Sequence, residues 1–306
     1  MTPERVGAVV NPQAGSGDAA QLFSELAGCF PEAAVEAHVT TGAADVPDAA
    51  REQAAWADLL AVVGGDGTLR EVAAALVDAG EETPLLVVPA GRGNSSYRHL
   101  YGDDDWREVA RRIAGGMQRR SLDVGRVEAE PSVEETYFVL GFTAGLFRNA
   151  VVNAERFRAL PGPLAYVLAT GQAVLVDDPV EASVTVDGEP FFEGAARLVA
   201  VGGGRYRGSD FELFPTSRPG DGRLHAVAIE PVGPRDSISL ARLARAGRLE
   251  EHPAVHDAAG ESVTLRSDSG LPVEMDGTPI ATALAEASVG VRPGALAVAQ
   301  PSSPCA

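Results

Sequence analysis

The chain has 306 residues, 45% of them hydrophobic and 22% charged, with 43 acidic against 25 basic side chains and a formal net charge of −18. That balance supports a real core in one large or two ordinary domains and excludes a disordered, collagen-like or disulfide-scaffold chain. It also argues against a nucleic-acid partner, because phosphate backbones are bound by clustered basic residues.

No lysine occurs, so every cation is an arginine. A Walker-type loop, which needs Gly-Lys-Ser/Thr, is therefore impossible. An acidic, lysine-free surface suits a salty cytoplasm, where ions screen its self-repulsion. Cys29 and Cys305 are too few for a zinc site and too far apart in the sequence for an expected disulfide. The opening Met1–Arg5 has no signal-peptide shape, so a cytoplasmic, salt-adapted protein is expected.

In chain order, Val6–Val10 reads as a buried strand broken by Asn11-Pro12-Gln13-Ala14-Gly15-Ser16-Gly17. Asp18 then caps a helix carrying Leu22, Phe23, Leu26 and Phe30. Val35–Thr40 alternates like a strand, and Ala43–Trp56 is an alanine-rich helix. Leu59–Val63 is a strand ending in Gly64-Gly65-Asp66-Gly67-Thr68, after which Leu69, Val72, Ala73, Leu76 and Val77 recur at helical spacing. Leu85–Val88 is a fourth strand, ending in Pro89-Ala90-Gly91-Arg92-Gly93-Asn94. This βα alternation predicts a parallel, Rossmann-like sheet with helices on both faces.

After about residue 120 strands follow one another: Arg126–Glu128, Tyr137–Phe142, Ala182–Val186, Ala196–Val201, Leu224–Ile229, Ser262–Leu265, Leu271–Met275 and Ala295–Val298. Turns such as Asp187-Gly188, Asp221-Gly222 and Asp276-Gly277 separate them, which predicts an antiparallel β-sandwich. Helices are expected over Gly145–Gln172 and Ser237–Leu249. The uncharged run Ala159–Val176 reads as a core helix, too short for a membrane span once its Pro-Gly-Pro opening is removed. The expected domains are 1–122 and 123–298, the last strand being free to return to the first domain, with 299–306 as a tail.

Three glycine loops at equivalent strand ends point to phosphate. Glycine lets backbone approach a ligand closely, and a helix N-terminus presents N–H groups to an anion. Asp66 would repel phosphate alone, so it implies a bridging cation or a hydroxyl to orient. The five histidines show no repeated ligand spacing. Arg107, Arg111, Arg112, Arg119 and Arg120 read as a salt-bridged helix face.

Asn-Pro-x-Ala-Gly-x-Gly, then Gly64 to Val72 as Gly-Gly-Asp-Gly-Thr-Leu-x-Glu-Val, then Pro89 to Asn94 as Pro-x-Gly-x-x-Asn, resembles the diacylglycerol kinase catalytic family in order and spacing. That family includes bacterial lipid kinases and sphingosine kinases. Gly202-Gly203-Gly204, Pro215, Asp221-Gly222-Arg223-Leu224 and Asp276-Gly277 extend the likeness to about residue 298. The Gly-Gly-Asp-Gly-Thr piece alone is shared with NAD kinases.

The resemblance implies ATP and Mg²⁺ as cofactors, an N-terminal nucleotide domain and a β-sandwich holding the lipid. It implies that Asn11, Gly15, Gly64, Gly65, Asp66, Gly67, Thr68, Leu69 and Arg70 surround the nucleotide, with Thr40 or Thr41 touching ATP and Gly91, Arg92 and Asn94 forming the third loop. Asp221, with the carbonyls of Arg218 and Arg223, would hold a structural magnesium. The family's third loop reads Gly-Thr-x-Asn-Asp, whereas here Arg92 replaces the threonine and Ser95 the carboxylate. Its Asp-Gly-Glu, whose glutamate accepts the proton, is Asp276-Gly277-Thr278, so that role is vacant or moved to Asp276 or Asp66.

The expected activity is phosphoryl transfer from ATP to a lipid hydroxyl, with Asp66 and Asp276 catalytic. The expected partners are a lipid, a peripheral membrane surface and a second copy of the chain. The alternatives are a non-catalytic binding protein of the same fold and a kinase of a soluble substrate such as NAD.

Overall fold

The computed structural model describes residues 1–15, 17–130, 133–146, 178–207 and 211–302. The chain divides into two compact units, Met1–Leu122 joined by the segment from Gly294, and Asp123–Pro293.

The first unit alternates β1 (Arg5–Val10), α1 (Ala19–Cys29), β2 (Ala34–Val39), α2 (Val46–Trp56), β3 (Leu59–Gly64), α3 (Asp66–Ala79) and β4 (Leu85–Pro89), then α4 (Ser95–Tyr101) and α5 (Trp106–Gly115). The strands are parallel: β1 lies between β2 and β3, and β4 pairs with β3. Val6, Val9, Leu59–Val63 and Leu86 are fully buried, as strands covered on both faces must be. The chain leads from β1 to β2 on one side and then to β3 on the other, so the topological switch point of the sheet lies between β1 and β3. Parallel sheets bind ligands at such a point, outside the carboxyl ends of the strands.

In the second unit, β5 (Met117–Glu130) continues out of the first and pairs antiparallel with β6 (Val133–Phe138). There follow β7 (Gly141–Gly145), β8 (Val180–Val186), β9 (Glu189–Ala196), β10 (Leu198–Gly202), the short β11 (Tyr206–Arg207) and β12 (Phe211–Glu212), and β13 (Leu224–Ile229). Helix α6 (Pro234–Arg245), β14 (Val255–Gly260), β15 (Ser262–Met275) and β16 (Thr278–Pro301) complete the chain. The first half of β15 pairs with β8, which pairs with β9. Its second half pairs with β7, followed by β10, β13 and β14. Phe138, Phe142, Val184, Phe192, Val201 and Leu265 pack between these strands as the sandwich core.

Two expectations change and a third is not tested. The helix expected over Gly145–Gln172, with its uncharged run, lies almost wholly outside the described residues. Ser262–Leu265 and Leu271–Met275 are one strand, because Gly270 at φ +81° and a register shift after Arg266 make a bulge where a turn was expected. Residues 299–302 are no free tail: Val298 pairs with Leu85 of β4, the Tyr101 hydroxyl donates to the Ala299 carbonyl at 3.0 Å, and Ser302 N–H donates to Gly116. Among the described residues no helix is long and apolar enough to cross a membrane.

Candidate functional site

The three glycine loops meet at the switch point. Asn11 follows β1, and its amide Nδ2 donates to the Thr68 hydroxyl at 2.9 Å, bridging the loops after β1 and β3. Gly15 sits at φ +57°, and a β-carbon there would lie 2.2 Å from the Ala90 carbonyl oxygen. A β-carbon on Gly91 would lie 2.6 Å from the Gly65 Cα. The backbones of all three loops therefore touch, and only glycine permits it. Asn94, in the left-handed region at φ +52°, closes the third loop: its side chain accepts from Gly91 N–H at 2.8 Å and donates to the Gly91 carbonyl at 2.9 Å.

Asp66 opens α3, and its half-buried carboxylate accepts from the N–H groups of Ser95 (3.2 Å) and Ser96 (2.9 Å). It thus caps α4 and ties the second loop to the third. Gly65, the N-cap of α3, gives the helix no side-chain cap. The first-turn N–H groups of this 14-residue helix lie at its positive end, where backbone donors suit an anion.

The other expected nucleotide residues divide by depth. Thr40 is buried and its hydroxyl donates to the Val10 carbonyl, whereas Thr41 is exposed, with its N–H and hydroxyl both donating to Asp45. Gly64 approaches the Thr68 side chain, and Gly67 is half-buried at the rim. Leu69 and Arg70 point inward: Leu69 is buried with its N–H bonded to the Gly65 carbonyl, and the buried Arg70 pairs with Glu71. Arg92 is exposed on the third loop.

The second unit holds the remaining candidates. Asp221, Arg218 and Arg223 do share one turn, but both Asp221 oxygens are engaged by donors: Arg218 N–H and His225 Nε2 on one, Arg223 N–H on the other. Burial works to raise this carboxyl, yet those bonds outweigh it and hold it below the ordinary range. The Arg218 carbonyl meanwhile accepts the Asp221 N–H. Among the described residues no three His, Cys, Asp or Glu side chains converge on a common point. The oxygens that the expected magnesium would use are thus bonded to backbone and histidine donors.

Asp276 sits in its expected turn, but its carboxylate is buried, 2% exposed, and accepts from the N–H groups of Val139 (2.7 Å), Leu140 (2.9 Å) and Gly141 (2.8 Å). Thr278, beyond the turn, is half-buried.

Sequence reasoning missed the neighbour of Asp276. Glu274 is buried and accepts from the Thr143 hydroxyl at 2.6 Å and Gly277 N–H at 2.7 Å. The only signal was an acid inside the buried run Val273–Met275. Burial pushes its carboxyl up from the ordinary 4.5, Asp276 pushes the same way, and Arg207, Thr143 and Gly277 oppose them. A carboxyl with a raised pKa in the folded chain adds stability below 4.5 and loses it as pH rises through the folded value. Glutamine mimics the neutral acid, accepting from Gly277 and donating to Thr143. In thermal unfolding, the wild-type midpoint should fall relative to Glu274→Gln as pH rises above that range. A difference between the two proteins that does not vary with pH would reject this reading.

The second unit also has a partly open apolar cavity of about 100 Å³ beneath α6, lined by Leu146, Leu198, Phe211, Ile229, Leu240 and Ala244 among others.

The comparisons agree with this architecture. The diacylglycerol kinase catalytic domain matches residues 5–127, and the YegS C-terminal NAD kinase beta sandwich-like domain matches residues 142–300. A diacylglycerol kinase of Bacillus subtilis is 25% identical over 90% of this chain and 89% of its own length. A probable lipid kinase YegS-like of Cronobacter sakazakii is 28% identical over 81% of each chain. The crystal structure of a putative diacylglycerol kinase from Bacillus anthracis superposes with a TM-score of 0.77 at 23% identity, covering 97% of this chain and 95% of that one, which bears on the fold. With both of its units matched and the glycine loops joined at the switch point of the first, the chain belongs to the diacylglycerol kinase family, with a diacylglycerol kinase catalytic domain followed by a YegS-type C-terminal β-sandwich domain.

Proposed function

We propose that the protein transfers the γ-phosphoryl group of ATP to the hydroxyl of a lipid. The observation that carries the transfer half is the locked loop cluster. Direct bonds from Asn11 to Thr68 and from Ser95 and Ser96 to Asp66 hold three backbones in contact around the open N-terminus of α3. Donors fixed in advance stabilise developing phosphate charge without reorganising during the reaction. The lipid half is favoured over a soluble acceptor by the relatives that match most of the chain, a diacylglycerol kinase of Bacillus subtilis and a probable lipid kinase YegS-like of Cronobacter sakazakii.

In this reading the phosphates lie against the Gly65–Thr68 backbone, and exposed Arg92 offers a guanidinium fork in place of the family's threonine. Magnesium would arrive with the nucleotide and neutralise phosphate charge. The acceptor oxygen bonds to phosphorus as the bond to the β-phosphate oxygen breaks; ADP leaves, and the hydroxyl proton passes to solvent water. Such transfers pass through a loose transition state in which positioning dominates, so the missing glutamate at Thr278 slows the reaction without abolishing it. Asp276, whose carboxylate accepts three backbone N–H groups, acts as a positioning residue.

The test is an assay with labelled ATP, Mg²⁺ and a total lipid extract at high salt. Label in the lipid phase is expected, and Thr278→Glu should raise the rate, a placed base being worth ~10²–10⁴-fold at most. Absence of lipid label, together with no ATP binding by calorimetry, would leave a binding protein of the same fold.

A further inference from the structure

The net charge of −18 makes any exposed basic face conspicuous. The arginines of the α5 region do not form one: Arg107 pairs with Glu25, Arg111 with Glu108 and Arg119 with Glu82. Helix α6 is different. Arg235, Ile238, Arg242 and Arg245 follow one another at spacings of three, four and three residues, which places them in one stripe, and all four are exposed. Ile238 is 56% exposed, and the only other large apolar side chains so exposed among the described residues are Met1 and Val39. Arg235 and Arg242 have no ion pair among the described residues. The Arg245 guanidinium lies 4.6 Å over the Phe211 ring. Asp236 stands beside the stripe at the start of the helix, and Glu250 beyond its end, while Glu251 is taken by Arg248. The opposite face, with Leu240 and Ala244, covers the apolar cavity.

We propose that the outer face of α6 is the surface by which the protein docks on an anionic lipid bilayer. The helix would lie flat, about 18 Å long, with Ile238 entering the headgroup boundary and the arginines taking lipid phosphates on either side of it. Planar guanidinium forks match phosphate oxygens two at a time. The alternation of cation and exposed aliphatic residue fits a surface that is charged outside and apolar within, and fits a nucleic acid or a free phosphate poorly. The acidic remainder of the protein repels such a surface, but at physiological salt that repulsion is screened beyond ~8 Å, so contact through one basic face survives. Docking there would set the apolar cavity one helix thickness from the bilayer. The inference rests on the lipid-kinase reading for its purpose, though not for its geometry.

The experiment is sedimentation of the full chain with vesicles of phosphatidylcholine alone or with one third phosphatidylglycerol. Binding is expected to favour the anionic vesicles and to weaken as salt rises. Arg235→Gln with Arg242→Gln should lower the partition coefficient by about 30-fold, roughly fivefold per arginine. Ile238→Ser should weaken binding to both vesicle types. All are exposed positions, so unchanged circular dichroism and thermal midpoint serve as the folding control. Equal vesicle binding by wild type and variants, or none by wild type, overturns the proposal. Phosphorylation of a short-chain diglyceride, dispersed as monomers, separates the two readings. If wild type phosphorylates it but binds vesicles without help from α6, the docking face falls and the kinase stands. If vesicle binding needs α6 and no lipid is ever phosphorylated, the kinase reading falls and the docking face stands.

Discussion

Asp66→Ala is expected to lower ATP-dependent lipid phosphorylation by about 10²–10³-fold, the scale of losing one preorganised electrostatic contact. The carboxylate does two jobs. It places a negative charge at the starts of both α3 and α4, and it joins the second glycine loop to the third by side-chain bonds to Ser95 and Ser96 N–H. Alanine leaves those two N–H groups without their acceptor while Gly65 and Gly91 remain in van der Waals contact. The loops would then separate by fractions of an ångström, and a misplacement of about 1 Å costs ~10²-fold in rate. The fold should persist, because loss of a cap costs only about 0.5–2 kcal/mol. Asp66→Asn keeps one acceptor oxygen and should retain part of the activity. Wild-type turnover by the alanine variant, measured with its circular dichroism unchanged, would move the phosphate site elsewhere.

The first unit was legible because its signals are local. Val6–Val10, Leu59–Val63 and Leu85–Val88 are short apolar runs that lead into glycine-containing loops, and the observed strands end within one residue of them. Their convergence followed from parallel topology. The roles of the acids were not legible, because those are made by contacts distant in sequence. Asp66 meets Ser95 and Ser96 across 29 and 30 residues, and Asp276 meets Val139, Leu140 and Gly141 across 137, 136 and 135. An Asp-Gly pair announces a turn in either case, and the pair does not say whether the carboxylate faces solvent or backbone. The same blindness split β15 into two expected strands, since Ser-Asp-Ser-Gly reads alike as a turn and as a bulge. The docking face on α6 was hidden differently: α5 and α6 carry three arginines each, the pairing read for the α5 face is present, and only the structure shows that Arg235 and Arg242 on α6 have no ion pair among the described residues.

Asp276→Ala is expected to destabilise the second unit by about 3–5 kcal/mol, the range seen when one partner of a buried charged contact is removed. Asp276 and Gly277 have φ of +46° and +79°, consistent with a type I′ turn, and Met275 pairs with Thr278 across it. Aspartate tolerates that conformation better than alanine, which adds a backbone cost to the lost acceptor. Most of the destabilisation comes from removing the carboxylate. Its oxygens take the N–H groups of three consecutive residues at the start of β7, and the Asp276 N–H in turn donates to the Gly141 carbonyl. The turn Asp187-Gly188 uses the same device, its carboxylate accepting from Glu261 and Ser262 N–H, but there the bonds are exposed and cost less to lose. Urea unfolding should therefore show a much lower midpoint for Asp276→Ala, with Asp276→Asn between it and wild type because asparagine keeps the turn and one acceptor. The decisive comparison is with activity. A positioning residue loses stability first, so Asp276→Asn assayed well below its unfolding midpoint should keep kcat within about tenfold of wild type, whereas a proton acceptor would lose ~10²–10⁴-fold with its stability little changed. A variant as stable as wild type but without turnover would return Asp276 to the chemistry.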